Sequence, residues 1–347
     1  MSIQSDVIIL FGGTSSERMV SVASAQHLTT ILPEAALWFW RPDGGVIAVD
    51  ASALLAHQNA YTAEFIPAKF QNIATSLEAC LDQVRDKVVY LGLHGGDGEN
   101  GWLQEKLEIR RIAFTGSSCA SSSLAMNKSK SKDAVSARGV VTARQYLFTP
   151  ALADGGEELA DFHSSVDEIV IKPACEGSSA GLAFIKTQQE RIDWFAKNKA
   201  SNDLWLVEER IYGRELTVGV MMHNGCLTVL PPSEVILERN AHFDYQGKYL
   251  GVGNKEITPA EITIHETVAA QSVAVLAHSA LNCFGYTRTD MIMTPKGMYY
   301  LETNTLPGMT KASFIPQQLS AAGVDLRLFV EGQIALARKR YGSTKLM

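Results

Sequence analysis

In the first third of the chain, apolar residues come in short unbroken runs. Residues 6–11 read Asp-Val-Ile-Ile-Leu-Phe and stop at Gly12-Gly13, and Val88-Val-Tyr-Leu-Gly-Leu93 runs into a glycine-rich loop. Runs of this length without polar alternation predict strands covered on both faces. Helical spacing follows each of them, from Ser21 to Leu32 and from Trp102 to Ile109. Strands alternating with helices predict an α/β unit on a parallel sheet, and ligands collect at the carboxyl ends of such strands.

The texture changes at about Gly116. A Ser-rich loop and a Lys-rich helix (128–137) lead to a strand, Glu168-Ile-Val-Ile-Lys172, and a Gly/Ser loop. Leu204-Trp-Leu-Val-Glu208, strand 216–222, hairpin strand 227–230, a polar loop from about 237 to 258 and a helix over 261–283 follow. Three domains are expected, with boundaries near 116 and 208. No internal repeat or low-complexity tract interrupts them.

Polar residues spaced two apart mark a segment near the C-terminus, Arg288-Thr-Asp290-Met-Ile-Met-Thr-Pro-Lys-Gly297-Met-Tyr-Tyr-Leu-Glu302-Thr-Asn304. Two β-prone runs flank Thr294-Pro-Lys-Gly-Met298, where Pro295 opens a turn and Gly297 suits a three-residue hairpin loop. If Thr294 pairs with Met298, Asp290 lies opposite Glu302 and Asn304 shares their face. Met291, Met293, Tyr299 and Leu301 then point to a core. Two carboxylates and an amide oxygen on one face suit Mg²⁺ with bridging phosphates. An amphipathic hairpin with one wet face is the competing reading.

Composition narrows the field by exclusion. The 347 residues are 46% hydrophobic and 20% charged, with a formal charge of −6. That balance provides no basic field for nucleic acid or an anionic membrane. Five scattered cysteines without C-x-x-C spacing point to a reducing compartment rather than a zinc or disulfide framework. Met1-Ser-Ile-Gln-Ser-Asp6 lacks the features of a signal peptide, and no apolar run approaches the roughly 18 residues of a spanning helix. A cytoplasmic location is expected.

Several loops could carry chemistry. Lys172-Pro-Ala-Cys-Glu-Gly177-Ser178-Ser179-Ala-Gly181 follows a strand, and its N–H groups and hydroxyls could cradle phosphate, although it also fits an ordinary turn. It is neither a Walker A loop nor a Rossmann fingerprint. Around Glu208 and Glu209, backbone groups up to Ile211 could read adenine while Glu215 accepts ribose hydroxyls; a salt-bridged turn is the alternative. Thr14-x-x-Glu17 fits a helix capping box, or else Glu17 binds a substrate ammonium. His94-Gly-Gly-Asp-Gly-Glu-Asn-Gly101 has the glycine density of a backbone that closely approaches a ligand. Phe243-Asp-Tyr-Gln-Gly-Lys248-Tyr249 sits in a loop long enough to be a lid, or a surface excursion.

Taken in order, these segments resemble the D-alanine–D-alanine ligase family of the ATP-grasp superfamily, from Gly12 to about Pro316. The most specific pieces are Gly12-Gly-Thr-Ser-Ser-Glu-Arg18, the His94–Gly101 loop, the Lys172–Gly181 loop, Phe243-Asp-Tyr-x-x-Lys-Tyr249 and Leu301-Glu-Thr-Asn-Thr-x-Pro-Gly-Met-Thr310. The resemblance implies an α/β protein of ATP-grasp fold, with a parallel-sheet N-terminal domain and two α+β domains that clasp ATP. Residues 1–116 would form the pre-grasp substrate-binding domain, 117–208 the central subdomain, and 209–347 the C-terminal subdomain with lid and metal site.

The resemblance also implies a cytoplasmic, Mg²⁺- and ATP-dependent ligase that joins two D-alanines through an acyl phosphate for peptidoglycan synthesis. The alternative is a relative in specialised metabolism with a different second substrate. Asp290, Glu302 and Asn304 would hold two Mg²⁺ ions, with Mn²⁺ as an alternative. Lys128, Lys172, Glu176, Gly177, Ser178, Ser179, Glu208, Glu209, Ile211, Glu215 and Lys248 would bind ATP. Glu17, linked through Ser178 to Tyr249, would hold the first ammonium, with His94 nearby. Arg288 and the N–H of Gly308 would stabilise the oxyanion. Ser313 would contact the second carboxylate, and Phe314 stands where the family usually has Leu. Asn127 before Lys128, and Thr289 within Arg-x-Asp, also depart from the pattern. The expected partners are ATP, D-alanine and a second copy of the chain, with no nucleic acid or membrane.

Overall fold

The structure, a computed structural model, describes residues 5–84, 86–153, 156–175, 181–223, 225–237 and 254–342. The first sheet contains β1 (Val7–Gly12), β2 (Ala36–Trp40), β3 (Val46–Val49), β4 (Gln71–Ala74), β5 (Val88–Leu91) and β6 (Ala113–Phe114), in the order β4-β3-β2-β1-β5-β6. β1 runs parallel to β2 and β5, and β5 parallel to β6, while β3 and β4 form an antiparallel edge. Both faces of β1 are covered. Ile9 and Phe11 pack in one hydrophobic cluster with Leu28, whereas Ile8 and Leu10 pack in another with Leu103 and Leu107. The unbroken apolar run follows from this two-sided burial. The strand order reverses around β1, so the carboxyl ends of β1 and β5 open a crevice.

β7 (Val141–Thr142) belongs to the last sheet. A second, antiparallel sheet contains β8 (Gln145–Phe148), β9 (Ile169–Pro173), β10 (Ala183–Ile185) and β11 (Trp205–Glu209), in the order β10-β9-β11-β8. Ile169, Ile171 and Val207 pack against Leu159 of the helix Glu157–Ser164.

The third sheet runs β15-β14-β12-β16-β17-β7, with β13 paired to β12. Its strands are β12 (Arg214–His223), β13 (Cys226–Val229), β14 (Ser233–Leu237), β15 (Asn254–Ile257), β16 (Tyr286–Thr294) and β17 (Gly297–Asn304). Leu216, Val218, Met291 and Met293 pack against Ala270 and Ala274 of the helix Ile264–Ala280. β15 corrects the expectation of a polar loop up to residue 258. Residues 254–257 pair with β14, which places their backbone groups in a ladder.

The β16–β17 hairpin differs from its predicted form in an instructive way. Thr294 pairs with Gly297 rather than Met298, so the turn has two central residues, Pro295 and Lys296. The Thr294 hydroxyl accepts the Lys296 N–H at 3.0 Å and donates to the Gly297 carbonyl at 3.0 Å. A bulge after Asp290 then shifts the register by one, with Met291 opposite Tyr300 and Asp290 opposite Glu302. Leu301 is the extra residue. The predicted Asp290–Glu302 pair therefore forms, but between the bulge and the turn the inward residues of β17 are Met298 and Tyr300, not Tyr299 and Leu301.

Candidate active site

Beyond the bulge, strand alternation places Arg288, Asp290, Glu302 and Asn304 on one face, with Arg288 opposite Asn304. Thr289 and Thr303 point inward as a buried cross-strand pair, hydroxyls 3.0 Å apart. The departure at Thr289 is therefore a packing feature of the reverse face. Asp290 is only 8% exposed. Its carboxylate accepts the Thr217 hydroxyl at 2.6 Å, Nε and an amino group of Arg288 at 2.9 and 2.8 Å, and the Asn304 amide at 3.3 Å. Glu215 lies two residues from Thr217 on the same strand, so it shares this face.

Lys128 opens the helix Lys128–Ser136, and its Nζ lies 3.9 Å from Glu302. The preceding residue, Asn127, caps that helix by accepting the Lys130 N–H at 3.0 Å. Asn serves this role as well as an acidic residue does, so this departure is structural. Arg288 carries its guanidinium 5.9 Å from the centre of the Phe314 ring, within reach of a cation–π contact.

The crevice of the first sheet supplies the other half. The helix Arg18–Ile31 has Glu17 at its N-cap and no side-chain cap, so the capping-box alternative is not realised. Glu17 is 9% exposed, and Gly95 is left-handed at φ 63°, where a β-carbon would collide with the Glu17 carboxylate.

His94 is buried. Its Nδ1 lies 2.8 Å from the Leu306 carbonyl and its Nε2 2.8 Å from the Ser24 hydroxyl. The carbonyl can only accept, so Nδ1 carries the proton and Ser24 donates to Nε2. Burial pulls the His94 pKa down to about 4, the Leu306 carbonyl opposes that, and the Arg288 charge adds to it. Both nitrogens of the neutral ring are engaged, and Ser24 also accepts the Met309 N–H at 3.3 Å. His94 thus holds the 306–309 loop.

Sequence reasoning missed Glu99. This buried carboxylate accepts the N–H groups of Gly95, Thr305 and Leu306, each at 3.0 Å, and so ties the glycine-rich loop to the end of the hairpin. Burial raises its pKa while those three N–H groups lower it. A carboxylate inside a glycine-dense run was the available signal.

One cavity is lined by Glu17, His94, Glu99, Lys128, Arg288, Glu302, Asn304 and Gly308. Asp290 is not among its lining residues, although it shares the hairpin face with Arg288 and Glu302. Ser313 precedes the helix Phe314–Ala321, and its hydroxyl accepts the Thr310 N–H at 3.1 Å. Of the residues predicted to bind ATP, Lys172, Glu208 and Glu209 lie on the second sheet, Ile211 follows it, Glu215 is on β12 and Lys128 opens a helix. Lys172 Nζ is 2.5 Å from Glu208, and Ile211 lies between β11 and β12. The Glu209 carboxylate accepts the Arg144 N–H and Nε, both at 3.0 Å, and its own N–H donates to the Arg144 carbonyl at 3.0 Å, so Glu209 is tied to the residue preceding β8 at both side chain and main chain. Glu176, Gly177, Ser178, Ser179, Lys248 and Tyr249 lie outside the described residues.

The donors on the hairpin face are all oxygen atoms, in keeping with a hard divalent cation. Among the described residues no cluster of three or more His, Cys, Asp or Glu could hold a metal. Two carboxylates and an amide fit an ion that takes its remaining ligands from phosphates and water.

Comparison with known proteins decides the family. Residues 6–117 match the family described as D-ala D-ala ligase N-terminus, and residues 164–335 the one described as D-ala D-ala ligase C-terminus. A D-alanine–D-alanine ligase of Granulibacter bethesdensis is 34% identical over 324 residues, covering 92% of this chain and 93% of that protein. The chain belongs to the D-alanine–D-alanine ligase family.

Solved structures agree. The VanG D-Ala:D-Ser ligase of Enterococcus faecalis superposes with a TM-score of 0.78 at 25% identity, covering 95% of this chain and 98% of that one. The Bacillus anthracis D-alanine–D-alanine ligase complexed with ATP gives 0.72 at 22% identity, covering 97% and 98%. The fold is the ATP-grasp fold of these ligases, as the motifs implied. The cavity brings Glu17 and His94, which follow strands of the first sheet, together with Arg288, Glu302 and Asn304 on the polar face of the hairpin.

Proposed function

We propose that the chain is an ATP-dependent D-alanine–D-alanine ligase that forms D-alanyl-D-alanine for peptidoglycan precursors in the cytoplasm. The observation that carries this reading is the convergence of Glu17 and His94 with Arg288, Glu302, Asn304 and Lys128 on one cavity. In this reading the Glu17 carboxylate pairs with the ammonium of the first D-alanine. The carboxylate of that amino acid attacks the γ-phosphorus of ATP, giving an acyl phosphate and ADP. The amine of the second D-alanine then attacks the acyl carbon. Negative charge gathers on the former carbonyl oxygen beside the Arg288 guanidinium and the Gly308 N–H, and inorganic phosphate leaves.

Phosphoryl transfer depends on positioning and charge neutralisation. Lys128 and Lys172 would supply fixed cationic charge, while Glu215 and the backbone at Glu209 and Ile211 would hold the nucleoside. Asp290, Glu302 and Asn304 would hold Mg²⁺, which when bound neutralises charge on the β- and γ-phosphates. Lys248, Ser178 and Tyr249 enter this reading through family resemblance. We assign residues 1–116 to substrate binding, 117–208 to the central grasp subdomain and 209–347 to the C-terminal one, with a homodimer as the expected assembly. Among the described residues no helix is long and apolar enough to cross a membrane.

ADP release from ATP and Mg²⁺, measured with single and paired amino acids, tests the reading. Turnover should be greatest with D-alanine in both roles. No D-alanine-dependent ADP release would overturn it. Phe314 beside Arg288 favours one second reading, a ligase of D-alanine with a different acceptor. Turnover by a D-alanine/acceptor pair well above D-alanine alone would establish that.

A further inference from the structure

Lys132 is fully enclosed, with 0% exposure, one helical turn after Lys128 on the helix Lys128–Ser136. An ammonium in such a place needs a partner, because removing a charge from water costs several kcal/mol. Its partner is Glu208, itself 3% exposed. Lys132 Nζ donates to Oε1 of Glu208, and Lys172 Nζ lies 2.5 Å from Oε2. Lys172 comes from β9, where it faces Leu206 of β11 across the antiparallel ladder, so one carboxylate is held between a helix and a strand. Only Lys172 reaches the surface, with 16% of its side chain exposed against 0% for Lys132. Burial first, and then the positive charge of Lys172, pull the Lys132 pKa well below its ordinary value.

The two lysines and one carboxylate carry a net charge of +1 when all are ionised. Take away Lys132, and the Lys172 charge is cancelled by Glu208 alone. We infer that Lys132 is a positioning residue for nucleotide binding: it shares the Glu208 carboxylate with Lys172 from the closed side, so that Glu208 offsets only part of the charge Lys172 presents to the polyphosphate. Lys132 touches no ligand, because it is enclosed. The inference rests on the assignment of Lys172 to ATP in the proposed function.

The test measures KM for ATP, KM for D-alanine and kcat in Lys132→Met, Glu208→Gln, the double variant and Lys172→Ala, with Mg²⁺ present. Lys132→Met should raise KM for ATP about tenfold or more, while KM for D-alanine stays within about twofold. In the Glu208→Gln background, Lys132→Met should raise KM for ATP no further, because the carboxylate through which Lys132 acts is already neutral. If Lys132→Met does not fold, the double variant decides alone: a KM for ATP equal to that of Glu208→Gln supports the inference, and a further rise overturns it. Where Lys132→Met folds, that same further rise in the double variant, or equal rises in KM for ATP and D-alanine, also overturns it. An unchanged KM for ATP in Lys172→Ala would instead remove the premise, and the inference with it.

Discussion

The β16–β17 hairpin and the 94–101 loop bring polar groups to the same cavity by different means. In the hairpin, Asp290 meets Asn304 across 14 residues of sequence and Arg288 across two, all set by strand alternation. In the loop, Glu99 binds N–H groups 206 and 207 positions away, and His94 a carbonyl 212 positions away. Local pairing holds the first group in place, while closure of the first sheet against the third holds the second. Hairpin substitutions should therefore remove chemistry and leave stability, whereas loop substitutions should cost both.

Glu302→Gln is the sharpest form of that contrast. In the proposed function it removes one carboxylate from the metal site, a contribution of several kcal/mol, so kcat should fall at least about a hundredfold. The melting temperature should stay within about 2 °C of wild type, since the ladder that sets the residue's face is untouched. Near-normal turnover with normal Mg²⁺ dependence would refute the metal assignment. A large drop in melting temperature would break the comparison itself.

Glu17→Gln tests the crevice side at its most chemical point. The charge that would pair with an ammonium is lost while the side-chain shape remains, so KM for the first D-alanine should rise roughly tenfold or more. No side chain caps the adjoining helix, so melting should be close to normal. Unchanged substrate binding together with lower stability would show that Glu17 is a structural residue.

The legible part of the site follows the same division. The Asp290–Glu302 pair is legible from alternation because two departures from the ideal hairpin cancel. The turn is one residue shorter than expected, and the Leu301 bulge restores the register. Asn127 and Thr289 looked like functional departures until a cap and a buried threonine pair accounted for them. Glu99 and Lys132 were missed for a common reason. Their roles depend on enclosure by distant segments, and neither periodicity nor spacing reports that a charged side chain is buried. The i, i+4 spacing of Lys128 and Lys132 places them on one helix face without saying that the face is covered.

His94 extends the contrast to pH. Its pKa is about 4 in the folded protein, against about 6.5 for an unperturbed histidine. The unfolded chain takes up the proton first as pH falls. The stability gained by keeping this ring neutral is therefore fully present above pH 6.5 and is lost as pH drops toward 4. At about 1.4 kcal/mol per unit, the loss is roughly 2–4 kcal/mol. His278, buried in the third sheet's packing, is depressed to the same value, so pH sensitivity alone does not mark the active site. His94→Gln should flatten the fall in denaturation free energy between pH 6.5 and 4 by about half. An unchanged slope would mean that His94 is not closing the cavity as a neutral bridge.

The smallest expected effect belongs to Phe314, where neither region dominates. Its ring is 7% exposed at the start of the helix Phe314–Ala321 and 5.9 Å from the Arg288 guanidinium on the hairpin face. Phe314→Leu removes an aromatic face worth about 0.5–1 kcal/mol to the cation and reshapes an apolar wall. Apolar walls discriminate by only about 1–3 kcal/mol per methylene, so acceptor choice should be tuned rather than reversed. With D-alanine held as first substrate and the acceptor varied, the ratio of kcat/KM between acceptors should shift several-fold in Phe314→Leu. The KM for ATP should not move, because no nucleotide group has been assigned to this helix. Identical acceptor profiles would mean that the ring serves only to hold Arg288. A change in ATP affinity would instead mean that the acceptor wall and the nucleotide site are coupled through the arginine that both adjoin.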